Sequence, residues 1–242
     1  KTGTDVPTGG HQLAAGGLWI LKLALDAARD TAGNRNLAAA SRSGVRRFVL
    51  TSILTCDQTP QVPHFWHKKL AEDRLEELGV PFVSLRPGAF LDMITRMGGD
   101  PFAKGRLMSF GSPTIPQTFV LTQDLAGYLA DAVDAPGIDG QRIDIGWERP
   151  VSIEEIAQIS GRLLDQRIRV RTIPAGLIIA AGTVVGKFAP MAKDLVAMMR
   201  WIQSGRYVAD PSRQREVFGQ VPTAEEAIAR LVGSLGHTVT AS

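Results

Sequence analysis

Cysteine is almost missing from this sequence: Cys56 stands alone among 242 residues. A disulfide within the chain and a cysteine zinc cage are therefore excluded, and a reducing, cytoplasmic setting is expected. Histidine occurs only at positions 11, 64, 67 and 237. His64 and His67 could share a helical face, but no carboxylate follows at metalloprotease spacing, so no metal is expected. Runs of like charge are missing too. Basic residues number 27 against 24 acidic, a formal net charge of +3, and no run of Lys or Arg exceeds two. That pattern points away from a nucleic-acid partner while leaving room for a small anionic ligand. The most apolar stretch, AGLIIAAGTVVG from Ala175 to Gly186, has 12 residues. A bilayer crossing takes about 20, so this stretch reads as a buried helix, and no membrane partner is expected. No stretch near the start joins a basic segment, an apolar core and a small-residue cleavage site, so no secretory leader is expected.

What is present is a chain that is 44% hydrophobic, enough for one large domain or one domain with an appended lobe. LWILKLAL (18–25) reads as a buried strand, and DTAGNRNLAAASRSGV as a helix stopped by Gly44. RRFVLTS is β-rich and bounded by Gly44 and polar residues, which predicts a strand. FWHKKLAEDRLEELG carries Trp66, Leu70, Leu75 and Leu78 at helical spacing, charges between them, and Gly79 as a stop, which predicts an amphipathic helix. VPFVSLRPG follows as a strand, so the three form a parallel crossover unit. Residues 91–119, broken by glycines and prolines, read either as a loop-rich lid or as an ordinary excursion. TQDLAGYLADAVDAP predicts a helix with Thr122 as its cap, QRIDIG a strand, and SIEEIAQISGRLLD a helix with Ser152 and Glu155 in capping-box positions. RIRVRTIP predicts a strand, and Pro174 to Leu235 reads as helix throughout. Strands alternating with helices make this an α/β chain.

Taken in order, NRNLAAASRSGVRRFVLTS, HKKLAEDRLEELGVPFVSLRPGAFLD, TQDLAGYLADAV, GQRIDIGWERPVSIEEIAQ and VFGQVPTAEEAIAR resemble the NmrA-like, atypical branch of the short-chain dehydrogenase/reductases. The resemblance runs over about residues 18–236. It implies a Rossmann-like parallel sheet flanked by helices that binds NAD(P), with residues 1–150 as nucleotide-binding core and 151–242 as a small, mainly helical substrate lobe. It also implies places for particular residues. Asn36 falls near the active site, in the helix before the VLTS strand. Thr51 and Ser52 end the strand that reaches the cofactor. Lys68, in a Lys-x-x-x-Glu-x-x-Leu run, takes the place of the active-site lysine. Arg86, Pro87, Gly88 and Phe90 form the edge beside the nicotinamide.

The implied chemistry is hydride transfer between NADP or NAD, NADPH preferred, and a small carbonyl, quinone or conjugated substrate. Ser52 can hydrogen-bond a carbonyl, and the Lys68 ammonium can hold a ribose hydroxyl. Without the resemblance, Lys68 reads as a solvated helix charge. The superfamily's usual acid is a tyrosine four residues before the lysine, where this chain has His64. An imidazole could donate that proton, and the plainer reading is a loop histidine. Cys56 reads as inert for want of a partnered base, and Asp124 as structural at a helix start. Trp66, Phe188, Met191, Met198, Met199 and Trp201 read as core before pocket lining.

The opening departs further from the pattern. A first βαβ unit takes roughly 30 residues, and Leu18 is preceded by 17. Gly3, Val6 and Gly9 can be read as a broken glycine turn, or the opening can be read as the stretch leading into a later strand. On the second reading the phosphate loop is missing from this stretch, and the chain is expected either to carry it on a piece upstream of this sequence or to be a truncated relative. Beside the oxidoreductase stand two further readings, a dinucleotide-sensing regulator without turnover and a cofactor-free descendant. The resemblance leaves room for a homo-oligomer.

Overall fold

The computed structural model describes residues 19–21, 37, 41–93, 99–185, 190–219 and 221–239. Asn36, Gly3, Val6, Gly9 and Phe188 lie outside them, as does the side chain of Met191.

The central sheet has four parallel strands in the order β1-β2-β3-β7, where β1 is Trp19–Leu21, β2 Phe48–Thr51, β3 Phe82–Pro87 and β7 Gln141–Ile145. Register is sorted by side-chain alternation, because successive residues of a strand face opposite sides. Phe48 and Leu50 of β2, with Phe82 of β3, pack under helix α1 (Pro63–Glu77) against Ala71 and Leu75. Val49, Val83 and Leu85 face the other way and meet Leu125 and Tyr128 of α2 (Thr122–Asp131). Both faces of β3 are covered, and all six of its residues are buried. A parallel strand so enclosed reads as a continuous apolar run, yet β3 carries Ser84 and Arg86 on the α1 side.

Outside the central sheet the described residues form two short parallel pairs and a set of helices. Ala89–Phe90 (β4) pairs with Phe119–Val120 (β6), and Arg106–Phe110 (β5) pairs with Arg169–Ile173 (β8). Helices follow at Ile153–Leu163 (α3), Ala175–Val185 (α4), Pro190–Gln203 (α5), Ser212–Phe218 (α6) and Ala224–Ser234 (α7). Ile156, Ile159, Ile228 and Val232 of α3 and α7 close a core over Leu107, Phe119 and Trp147.

The α/β, Rossmann-like expectation holds, and five local expectations change. The buried face of α1 is Phe65, Lys68, Ala71, Glu72 and Leu75, whereas Leu70 is 41% exposed. Thr122 is the first residue of α2 and makes no side-chain cap; the Thr122 amide donates instead to Asp92 Oδ1 at 3.3 Å. Residues 91–119 contain β5 and the first residue of β6, so they are partly sheet. Residues 206–211 between α5 and α6 are extended or irregular, which interrupts the continuous helix expected after Pro174. Helix α4 has no buried residue among its described side chains, against the expectation of a buried helix.

Candidate active site at the carboxyl edge of the sheet

Strand β2 ends at Thr51, and the chain stays paired one step further, with the Ser52 amide donating to the Leu85 carbonyl at 2.8 Å. It then turns sharply. Thr55 sits in the left-handed region at φ 59°, an uncommon conformation for a β-branched residue. Two contacts hold it there: Thr59 Oγ1 donates to the Thr55 carbonyl at 3.0 Å, and Trp201 Nε1 of α5 donates to Thr55 Oγ1 at 2.9 Å. Helix α5 is thereby tied to the loop that follows β2. Leu54, Cys56, Val62 and Phe65 pack with Trp201 and Tyr207 around this tie, so Trp201 is core.

Helix α1 leaves that loop and passes its Lys68 side chain back to the sheet edge. Lys68 is buried, and its Nζ donates to the Thr51 carbonyl oxygen at 2.9 Å. One turn earlier, His64 Nδ1 is hydrogen-bonded to Asp194 Oδ2 of α5 at 2.7 Å. Around this pair two polar atoms, Asp194 Oδ1 and His67 Nδ1, are buried without a hydrogen-bond partner. Buried polar atoms are seldom left so. Among the described residues no cluster of three His, Cys, Asp or Glu could hold a metal ion.

The rest of the α1 face forms a second cluster of a different kind. Glu72, fully buried, accepts from Ser84 Oγ at 2.6 Å, from Arg86 Nε and Nη2 at 3.0 and 2.6 Å, and from Arg142 Nε at 3.2 Å. Arg86 Nη1 reaches Asp57 at 2.8 Å. Burial works against the Arg86 charge, but the hydrogen bonds and charge of Glu72, with Asp57, outweigh it and raise its pKa. Burial, with Glu72 adding to it, pushes the neighbouring Cys56 thiol up to about 12, so it stays protonated. Burial also raises the Asp144 carboxyl to about 6, against the pull of Arg86, and raises the pKa of the Tyr207 phenol.

Thr51, Ser52 and Lys68 meet at the carboxyl edge, with His64 on the same helix but turned to the lobe. Ser52 is 2% exposed and its hydroxyl lies 3.6 Å from Cys56 Sγ. Arg86 and Pro87 are buried in β3, and Arg86 is engaged by carboxylates. Gly88 is required by protein packing: a Cβ there would come within 2.4 Å of the Thr118 carbonyl oxygen. Phe90 is half-buried in β4. Sequence reasoning missed Asp194, which lies 130 residues from His64 and in no motif, and it did not separate Glu72 and Arg86 as a pair. Two shallow depressions along α3 and β8, lined by Gln158, Arg167 and Ile168 among others, lie apart from this edge. They open widely to solvent and lack the convergent buried polar groups that mark the edge, so the edge is the better candidate.

The NmrA-like family matches residues 27–224. Photosystem II assembly factor Ycf39 of Synechocystis sp. is 23% identical over 197 residues, 80% of this chain and 60% of that protein. The chain thus spans under two thirds of that relative's length. Among solved structures, Escherichia coli NADPH-dependent quinone oxidoreductase complexed with NADPH superposes with a TM-score of 0.69 at 18% identity, over 91% of this chain and 76% of that one. Citrobacter sp. triphenylmethane reductase complexed with NADP(H) gives 0.69 at 16% identity, over 88% and 75%. These likenesses show the fold, that of NAD(P)-binding reductases.

Proposed function

The chain belongs to the NmrA-like family, and on that premise we propose that it is an NAD(P)-dependent oxidoreductase acting on a small carbonyl, quinone or similarly conjugated substrate. The observation that carries the reading is Lys68: a buried ammonium fixed at the end of β2 by the Thr51 carbonyl. Desolvating that charge is costly, and the burial falls at the carboxyl edge, where the family resemblance puts the active-site lysine. At this edge Lys68 and Thr51 would hold the ribose hydroxyls of the cofactor, with Phe90 on the nicotinamide side. Bound NADPH or NADH would supply a hydride to the substrate carbon. His64, oriented through Nδ1 by Asp194, would deliver the proton from Nε2 to the substrate oxygen, so a carbonyl would leave as an alcohol; on a quinone the hydride would add to a ring carbon, whose proton then shifts to the second oxygen to give the hydroquinone. Ser52, nearly closed to solvent, shapes the floor of the site.

A second reading, dinucleotide binding without turnover, is favoured by one observation: the Ser52 hydroxyl faces Cys56 inside the protein, where a substrate carbonyl does not reach. The test is titration of NADPH and NADH by nicotinamide fluorescence on protein from its native source, followed by cofactor oxidation with a quinone. Saturable binding with quinone-dependent oxidation is the expected result. Binding without oxidation by quinones or carbonyls would move the conclusion to the regulator. No binding of either cofactor would sink both.

A further inference from the structure

Residues 166–193, QRIRVRTIPAGLIIAAGTVVGKFAPMAK, contain five basic and no acidic residues, which leaves 22 basic against 24 acidic in the rest of the chain. The positive charge of the protein is therefore concentrated on a segment whose centre is its most apolar helix. That helix, α4, docks one face on α5: a Cβ at Gly182 would come within 2.5 Å of Val196 Cγ2. Its opposite face is bare. Leu177 and Val184, seven residues apart and so on one side, are each 64% exposed, with Ala180 and Ala181 exposed between them. Its hydroxyl, on Thr183, donates back to the Ile179 carbonyl at 2.6 Å, so the outer face offers little polarity.

Strand β8 leads through Pro174 directly into α4, and its pair with β5 carries exposed side chains of its own. The exposed residues of β5, Arg106, Met108 and Phe110, stand in register with Arg169, Arg171 and Ile173 of β8, all exposed. Phe110 is 51% exposed and Met108 40%. Arg106 lies opposite Arg169, a like-charge pairing that weakens a sheet unless anions cover it. None of these three guanidinium groups makes an ion pair within the described residues.

We propose that α4 and the Arg106/Arg169/Arg171 face form a peripheral docking surface for an anionic lipid bilayer, α4 lying in the interface and the arginines meeting the headgroups. At 11 residues α4 is too short to cross, and among the described residues no helix is long and apolar enough to do so. A second copy of the chain is the wrong occupant, since a two-fold contact sets the same patch against itself and brings arginines together. An acidic protein fits less well, because the exposed aromatic of this surface, Phe110, stands on β5 while α4 offers only aliphatic side chains. The inference departs from the expectation of no membrane, which rested on span length alone.

The test is co-sedimentation of the full chain with vesicles of phosphatidylcholine alone, and of phosphatidylcholine and phosphatidylglycerol in equal parts. Partition onto the anionic vesicles, weakened by salt, is expected. Each arginine neutralised should cost about fivefold in partition, so Arg169→Glu with Arg171→Glu should release the protein. Leu177→Ser with Val184→Ser should lower partition as well, and circular dichroism checks that these surface variants still fold. A chain that stays in the supernatant, or binds anionic and neutral vesicles alike whatever the arginines, overturns the proposal. So does a dimer by light scattering that Leu177→Ser with Val184→Ser dissolves while vesicles bind nothing, or binding to polyglutamate but not to vesicles.

Discussion

Helix α1 touches two buried polar clusters, and they differ in how completely they are paired. Toward β3, Glu72 accepts from Ser84, Arg86 and Arg142, and Arg86 passes its remaining donor to Asp57. Toward α5, His64 and Asp194 meet through one hydrogen bond, and Asp194 Oδ1 and His67 Nδ1 have none. A closed network in a low-dielectric interior holds the fold in one arrangement, because any unpaired member would be expensive. An open one keeps unused hydrogen-bonding capacity beside the lobe. The difference teaches which of two chemically similar clusters to regard as scaffold and which as site, and Lys68 lies between them on the same helix.

The largest effect should come from opening the closed cluster. Glu72→Ala leaves the buried Arg86 guanidinium without its main partner, and breaking such a pair costs about 3–5 kcal/mol. Glu72→Gln keeps the volume and part of the hydrogen bonding, so its loss should be clearly smaller. Urea unfolding of both measures this, and an alanine variant as stable as the parent would show that the network does not hold the fold.

Lys68→Met should do the reverse, sparing stability while removing function. Its aliphatic stem is replaced in kind, and the bond to the Thr51 carbonyl is lost. Cofactor oxidation should fall about 100-fold or more, a loss of about 2.7 kcal/mol of transition-state stabilisation. A variant that unfolds early yet turns over normally would move Lys68 to the scaffold side of the comparison. Asp194→Asn belongs to the open cluster and should lower turnover about tenfold through misorientation of His64. The ring tautomer of His64, read by nitrogen NMR without any substrate, should change with it. An unchanged tautomer would separate Asp194 from the site.

The elements that carry the closed cluster could be read from sequence, but neither its pairing nor the open cluster could. β2, β3 and α1 announce themselves through β-branched runs and Gly44 and Gly79, both at positive φ in the structure. The face of α1 did not follow its apolar spacing, because Lys68 and Glu72 take buried positions and Leu70 is left outside. Hydrophobic periodicity assumes that charges go to solvent, and it fails where charges pair internally. The cap of α2 comes from Asp92, 30 residues earlier, so local capping chemistry pointed to Thr122 instead. Asp194 and Trp201 reach the edge only through the docking of α5, and such long-range contacts leave no local pattern to read. The motif reading did set Thr51, Ser52 and Lys68 together, and its Gly88 turns out to be needed for the approach of Thr118.

The smallest effect tests whether the closed cluster is fully compensated. Asp144 stands opposite Arg86 in the β3–β7 register, half-buried, and burial raises its pKa to about 6. An unfolded aspartate titrates near 3.9. A carboxyl raised in the folded state contributes stability while protonated, fully below about pH 4, and loses it as pH rises through about 6. Asp144→Asn removes the ionisation but keeps an oxygen for the Asp210 amide. It should therefore stabilise the protein above about pH 7, by about 1 kcal/mol after discounting for solvent exposure, and change nothing below about pH 4. Urea unfolding at those two pH values checks it. Equal stability of variant and parent at the higher pH would mean that Arg86 neutralises Asp144 as well as Glu72, and the closed cluster would then extend across β7.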